Sequence, residues 1–202
     1  MSRTPARAAP DAMEGLDTRD RILEAGLAEF GEKGLRAASI ASICRRARLA
    51  NGTFYLHFRS TEDLYRALLT KAAMELGRRL REGSTGDLTP KARDRLEVGV
   101  IFEFAEECED LFRLVADERG GYSEAHNAFQ AVLHRQRSEE IASGIREGRF
   151  RPDLDADLAA LADFGMTTEV VQWWLANRAI MSRQAAVDRL ADMRAHLLFP
   201  SD

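Results

Sequence analysis

The chain has 202 residues, 45% hydrophobic and 31% charged, with five prolines, 14 glycines and a formal net charge of −4. This is the balance of a globular chain that can bury a core, either one domain of ordinary size or a small domain joined to a medium one. No apolar run approaches the roughly 18 residues that span a bilayer, and no apolar segment follows the N-terminal arginines, so neither a membrane span nor a secretory signal is expected and the expected location is cytoplasmic. Cys44 and Cys108 lie far apart and form no CxxC pair. They read as inert thiols of a reduced compartment rather than as a redox pair.

Residues 1–15 are small, Pro- and Ala-rich and without periodicity, which reads as a disordered arm. The first helix is expected from Thr18 to about Lys33, with Ile22, Leu23, Gly26, Leu27 and Phe30 on one stripe and Gly34 ending it. A short second helix follows from about Ser39 to Ala47, with Ile40, Ile43 and Ala47 inward and Arg45 and Arg46 outward. A third covers about Ala50 to His57, with Phe54 inward and Phe58 closing the unit. Ser60, followed by Thr61, Glu62 and Asp63, caps a long fourth helix running to about Arg81.

Gly83-Ser84-Thr85-Gly86 breaks that pattern, and Pro90 opens a fifth helix to about Glu107. A short sixth carries Leu111, Phe112, Leu114 and Val115, and Gly120-Gly121 is a further break. The seventh runs from about Ser123 to Glu147, the eighth from Asp155 to about Ala179, and the ninth from about Gln184 to Leu198. No segment alternates as a strand does, so the expected fold is all-α with about nine helices. The expected division is an arm at 1–15, a three-helix unit at 16–62 and a larger helical domain at 63–202.

The charge is unevenly placed. Residues 1–60 carry a balance of +3 and the rest −7. From Lys33 to Arg59 there are six basic residues (Lys33, Arg36, Arg45, Arg46, Arg48 and Arg59) and no acid. A basic segment in an acidic chain is an electrostatic footprint for a polyanion. It falls on two short helices with a tight turn between them, a helix-turn-helix arrangement whose final helix is narrow enough for the major groove of DNA. Asn51, Thr53, Tyr55 and His57 offer hydrogen-bonding groups there. Gly52 removes bulk where backbone or phosphate comes close, and Phe54 and Phe58 anchor the helix to the core.

The stretch from Arg21 to Leu64 resembles the DNA-binding domain of the tetracycline-repressor (TetR) family. The matching signs are Ile22-Leu23 with Phe30 and Gly34, Ser39-Ile40 with Ile43, Gly52-Thr53-Phe54-Tyr55 with Phe58 and Ser60, then Glu62 and Leu64. The resemblance implies that Ser39 caps the second helix and holds a phosphate. It implies that Asn51 and Thr53 approach bases and that Tyr55 and His57 touch phosphate or base edges. Arg45, Arg46 and Arg48 would supply sequence-independent attraction. Ser42, Ala50, Gly52 and Thr61 complete the expected DNA-facing set. Three positions depart from the family pattern: Arg48 where a turn glycine is usual, Ala50 where a polar cap is usual, and Thr61 where a phosphate-gripping lysine is usual.

The resemblance further implies a homodimer on a palindromic DNA operator, released by a small molecule, which makes the chain a regulator, more often a repressor, and not an enzyme. The expected dimer interface on the last two helices is Val170, Val171, Trp174, Leu190, Met193 and Leu197, with an internal core helix as the competing reading. The expected effector pocket, for an apolar or aromatic small molecule, draws on Phe102, Phe104, Phe112, His126, Phe129, Phe164, Met166 and Trp173, residues that serve equally as ordinary core. No metalloprotease, P-loop or dinucleotide motif occurs, and no cofactor or metal is expected. Asp153, Asp155 and Asp157 imitate the start of a calcium loop, but Leu158 and Phe164 stand where such a loop needs glycine and glutamate. A helical small-molecule-binding protein or an adaptor without specific DNA binding is the alternative reading, and the acid-free basic run is the feature that argues against it.

Overall fold

The structure, a computed structural model, describes residues 16–83, 88–117 and 124–200. The arm expected at residues 1–15 and the Gly120-Gly121 break lie outside the described residues. Among those described there are nine helices and no strand: α1 (Thr18–Lys33), α2 (Ile40–Ala47), α3 (Asn51–Tyr55), α4 (Thr61–Gly83), α5 (Pro90–Glu107), α6 (Glu109–Asp117), α7 (Glu124–Arg146), α8 (Ala156–Ala176) and α9 (Arg183–Leu198). No described helix is long and apolar enough to cross a membrane.

Most boundaries follow local chemistry. Asp17, Ser39, Thr89, Asp155 and Ser182 each accept a backbone N–H of the helix they open. Gly34, at φ 77°, ends α1 in a conformation that disfavours any side chain. Two helices are shorter than their sequence pattern predicts. α8 stops at Ala176 because Asn177 caps it, its N–H bonding Trp174 O at 2.9 Å and its side-chain amide bonding Trp173 O at 2.7 Å. α3 holds only five residues because the chain tightens after Tyr55, where Leu56 N reaches Thr53 O and His57 N reaches Phe54 O.

The chain divides into two compact units. The first contains α1, α2, α3, the start of α4, most of α6 and the start of α7. Ile22, Leu23, Phe30, Ile43, Cys44, Ala47, Phe54, Phe58, Leu64, Tyr65 and Leu69 are buried in it. Close packing of α1 on α4 uses Gly26, where a Cβ would stand 2.5 Å from Leu64. The first turn of α7 is fastened to α4 twice: Ala125 N donates to the Glu62 carboxylate at 3.0 Å, and the buried Tyr65 hydroxyl and His126 Nδ1 are 3.1 Å apart. Tyr65 also meets Phe30 of α1 edge-on.

The second unit holds the rest of α4 and α7 together with α5, α8 and α9. Its core includes Val98, Phe102, Val171, Trp174, Leu190 and Leu198, with Phe102 edge-on to Trp174 at 5.1 Å. A second cluster joins Ile141, Phe150, Ala160, Leu198 and Phe199. Charge is buried here as well. Arg194 of α9 donates to Asp94 of α5 from Nη2 at 2.7 Å and from Nε, and from Nη1 to Thr167 of α8 at 3.0 Å. Asp163 lies 3.1 Å from the same guanidinium and accepts Arg137 Nε at 2.7 Å.

Removing the buried Arg194 guanidinium leaves the buried Asp94 without its cation and Asp163 with Arg137 alone. Arg194→Met is expected to lower the stability of the second unit by about 3–5 kcal/mol. The exposed Arg95, which pairs with Asp188 and Asp192 on the surface, is expected to cost below about 1 kcal/mol when changed to Met. Both tryptophans, Trp173 and Trp174, lie in the second unit, so urea titration followed by tryptophan fluorescence measures the difference.

Candidate nucleic-acid interface

The interface is built on α1. Along one face of α1 the buried Ile22, Leu23 and Phe30 give α2 and α4 a common floor. Arg21 donates to Ala47 O at 2.7 Å, gripping the carbonyl end of α2. α2 starts in a reciprocal cap: Ser39 Oγ accepts from Ser42 N, and Ser42 Oγ both accepts from Ser39 N and donates to Ser39 O. Ser39 is exposed, whereas Ser42 is buried. Ser42 is thus engaged in the cap that starts α2.

The turn between α2 and α3 passes through Arg48 in the left-handed conformation, at φ 57° and ψ 45°. This is the position where glycine is usual, and arginine holds the same backbone shape at a cost of about 1–2 kcal/mol. Leu49 N closes the turn onto Cys44 O at 2.9 Å. Cys44 is sealed beneath α3, and burial pushes its thiol up, despite a hydrogen bond from the Phe54 backbone, which fits an inert thiol. Ala50 precedes α3 without any side-chain cap. At the far end Ser60 caps α4, accepting Asp63 N at 3.1 Å, with Thr61 half-buried in its first turn.

α3 turns Phe54 fully inward, with Phe58 behind it at 5.8 Å between ring centres. That leaves Asn51, Gly52, Tyr55, Leu56, His57 and Arg59 exposed and Thr53 partly so. Tyr55 is 62% exposed although its ring leans edge-on against Phe54. A Cβ built on Gly52 would meet nothing within 4 Å, so nothing in this chain requires glycine there.

The basic residues divide into two groups. Arg46 faces α1, where it pairs with the buried Glu29 at 3.1 Å and with Glu32. Lys33 joins it on Glu29. Burial alone would raise the Glu29 carboxyl, but hydrogen bonds from Lys33, Ser42 and Arg46 outweigh that and hold it below its usual range. Arg46 therefore staples α2 to α1, whereas the sequence pattern turns it outward. Among the described residues, Arg45, Arg48 and Arg59 carry no ion pair and are exposed. They are the cations left to face a polyanion. Glu29 escaped sequence reading because an acid on the apolar side of a helix looks like a surface residue until its partners are placed. Its spacing to Lys33 was the one local signal.

The expected pocket residues divide between the units. Phe112 and Phe129 are half-buried in the first, where His126 is engaged with Tyr65. Phe102 and Phe104 are buried in the second, and Phe164 and Met166 are half-buried there. Trp173 is 47% exposed on α8 rather than turned into a core. Of the expected interface residues, Val171, Trp174 and Leu190 are consumed by the protomer's own core, because α8 turns that face toward α5 and α9. Met193 is exposed, and Val170 and Leu197 are half-buried. The apolar side chains that α8 does present are Leu158, Leu161 and Trp173.

A three-helix platform with a braced, outward-facing third helix and unpaired arginines beside it defines a helix-turn-helix DNA-binding protein. Residues 22–68 match the family described as bacterial regulatory proteins, tetR family. The HTH-type transcriptional repressor KstR2 of Mycobacterium tuberculosis is 30% identical over 184 residues, covering 86% of this chain and 89% of KstR2. The chain belongs to the tetR family of transcriptional regulators. Solved structures agree in fold. The ketosteroid transcriptional regulator KstR2 of Mycobacterium tuberculosis superposes with a TM-score of 0.65 at 25% identity, over 91% of this chain and 95% of that one. The regulator FadR of Bacillus subtilis, in complex with stearoyl-CoA, gives 0.73 at 22%, over 87% and 96%.

If Arg46 is structural and Arg45 electrostatic, the two substitutions separate. Arg45→Ala is expected to leave stability unchanged and to reduce the salt dependence of DNA binding by about two in the log–log slope for a dimer. Arg46→Ala is expected to lower stability by about 1.5–3 kcal/mol, because the buried Glu29 loses one of the three groups that hydrogen-bond its charge. Thermal melts and a binding series in salt distinguish them. Gly52→Ala is expected to raise helix stability by roughly 0.5–1 kcal/mol while weakening DNA binding, because the added methyl fills partner space. Melting and gel-shift assays on one preparation test both halves.

Proposed function

We propose that this chain is a ligand-responsive transcriptional repressor that binds a palindromic operator as a homodimer and leaves it when a small molecule binds. The single observation that carries this reading is the outward face of α3: Asn51, Gly52, Thr53, Tyr55 and His57 stand clear of the core beside unpaired Arg45, Arg48 and Arg59. In that role residues 16–62 carry DNA contact, and residues 63–202 carry effector binding and dimerisation.

Dimerisation supplies what one such helix lacks. A single short recognition helix touches few base pairs, and two placed roughly 34–36 Å apart read successive major grooves. The surface proposed for the partner copy runs along α8 through Leu158, Leu161, Ala162, Gly165 and Trp173, with Met193 on α9. Leu161 is 60% exposed, and a Cβ on Gly165 would meet nothing, so small residues permit close approach of helices. Val170 and Leu197 stay with this set, whereas Val171, Trp174 and Leu190 support it from behind.

For the effector we propose a coenzyme A thioester of an apolar acid. The stearoyl-CoA bound to FadR supports that class. Within the second unit the half-buried Phe164 and Met166 of α8 suit an apolar acyl group. Release requires only that the effector bind the DNA-incompetent arrangement of the dimer more tightly than the competent one.

The test is binding of purified protein to labelled DNA flanking its own gene, across a salt series and against scrambled competitor. A footprint over an inverted repeat that survives competitor is expected, with release by stearoyl-CoA but not by free CoA. Equal loss on both DNAs at moderate salt would overturn the regulator reading, and indifference to acyl-CoA would overturn the effector class alone. Leu161→Glu is expected to yield a monomer by analytical ultracentrifugation that keeps its helical spectrum and loses the footprint.

A further inference from the structure

We propose that Leu56 reads the 5-methyl group of a thymine in the major groove of the operator, making it a specificity-determining residue of this regulator. The assignment rests on α3 being the recognition helix of a DNA-bound dimer.

Leu56 is 81% exposed. It follows α3 directly in right-handed helical conformation, at φ −71° and ψ −21°, so it prolongs the outward surface of the helix. One turn earlier on the same face stands Gly52, which has no side chain and open space around it. Leu56 is thus the bulk presented at that part of the surface, and nothing in its own unit covers it. Its neighbours are of another kind: Asn51, Thr53 and His57 carry hydrogen-bonding groups, and Tyr55 carries a hydroxyl. An isobutyl group offers none.

The floor of the major groove presents hydrogen-bond donors and acceptors for every base pair but only one methyl group, that of thymine. Phosphates are charged and strongly hydrated and gain nothing from an apolar neighbour, and the deoxyribose C–H groups lie along the backbone rather than on the groove floor. An exposed leucine on a groove-entering surface therefore has one complementary chemical group to meet. Meeting it removes apolar surface from water on both sides, and the contact discriminates thymine from cytosine at the same position. The polar residues beside it orient the helix, and Leu56 reads a feature they do not.

The experiment uses full-length protein and the footprinted operator, in which each thymine of the half-site is replaced in turn by deoxyuridine, symmetrically in both halves. This removes a methyl and nothing else. The wild type is expected to lose about fourfold in affinity per methyl, or roughly fifteenfold for the symmetric pair, at one position. Leu56→Ala is expected to lose as much on the unmodified operator and to show no further loss at that position. Leu56→Met, which keeps an apolar reach, is expected to retain discrimination. Because the side chain is exposed, all three proteins are expected to melt alike. If Leu56→Ala distinguishes thymine from deoxyuridine as the wild type does, the assignment is overturned, and a loss only of cooperative binding between dimers overturns it too. Operator binding with no methyl dependence at all also overturns it while leaving the regulator reading intact. Failure of the wild type to prefer any operator overturns both.

Discussion

A helix of five residues cannot hold its own shape in water. Nucleating the first turn fixes three residues for one hydrogen bond, and isolated helices below about 12 residues are marginal. α3 exists because Phe54 is driven completely out of solvent and Phe58 closes behind it. Three other helices supply further buried side chains of the same unit. α1 provides Ile22, Leu23 and Phe30, α2 provides Ile43, Cys44 and Ala47, and α4 provides Leu64 and Tyr65. A rigid inward face sets the outward one, so the rotation of α3 that seats Phe54 also decides that Asn51, Gly52, Tyr55 and Leu56 face away.

Charge is allotted by the same packing. In the basic run the arginines look equivalent along the chain, yet Arg46 is drawn back onto a buried glutamate and Arg45, one residue earlier, is left in solvent. A helical step of 100° separates them. Glu29 is stable as a buried ion only because Lys33, Ser42 and Arg46 surround it, and in return it locks α2 against α1. The second unit repeats the device with the signs exchanged: Arg194 is the buried ion, and Asp94, Asp163 and Thr167 hold it. In both units a buried charge ties together helices that apolar contact alone would leave free to slide.

α4 and α7 begin in the first unit and end in the second. The first turn of α7 is tied to α4 through Glu62 and the Tyr65–His126 pair, and Tyr65 in turn touches Phe30 of α1. The part of the molecule that carries the DNA face thus includes helical turns well beyond the three-helix motif. A polar pair buried with its partner satisfied is worth more than the same groups exposed, and it specifies one register between the helices.

Much of the architecture was legible in the sequence. Caps at Ser39, Ser60 and Asp155, the stop at Gly34 and the proline at 90 are local chemistry, and the helices begin and end where those residues stand. The three-helix platform and its recognition face were equally legible, because Phe54 and Phe58 alternate with polar residues at helical spacing. What one-dimensional pattern left open was which member of an apolar or basic set faces which neighbour. Val171, Trp174 and Leu190 have the composition of an interface, and tertiary packing spends them on the protomer's core while leaving Leu158, Leu161 and Trp173 exposed. The pairing of His126 with Tyr65 was likewise not legible in one dimension. Periodicity tells a residue's angle around its own helix, but burial depends on where the other helices lie, and that is decided only when the whole chain has packed.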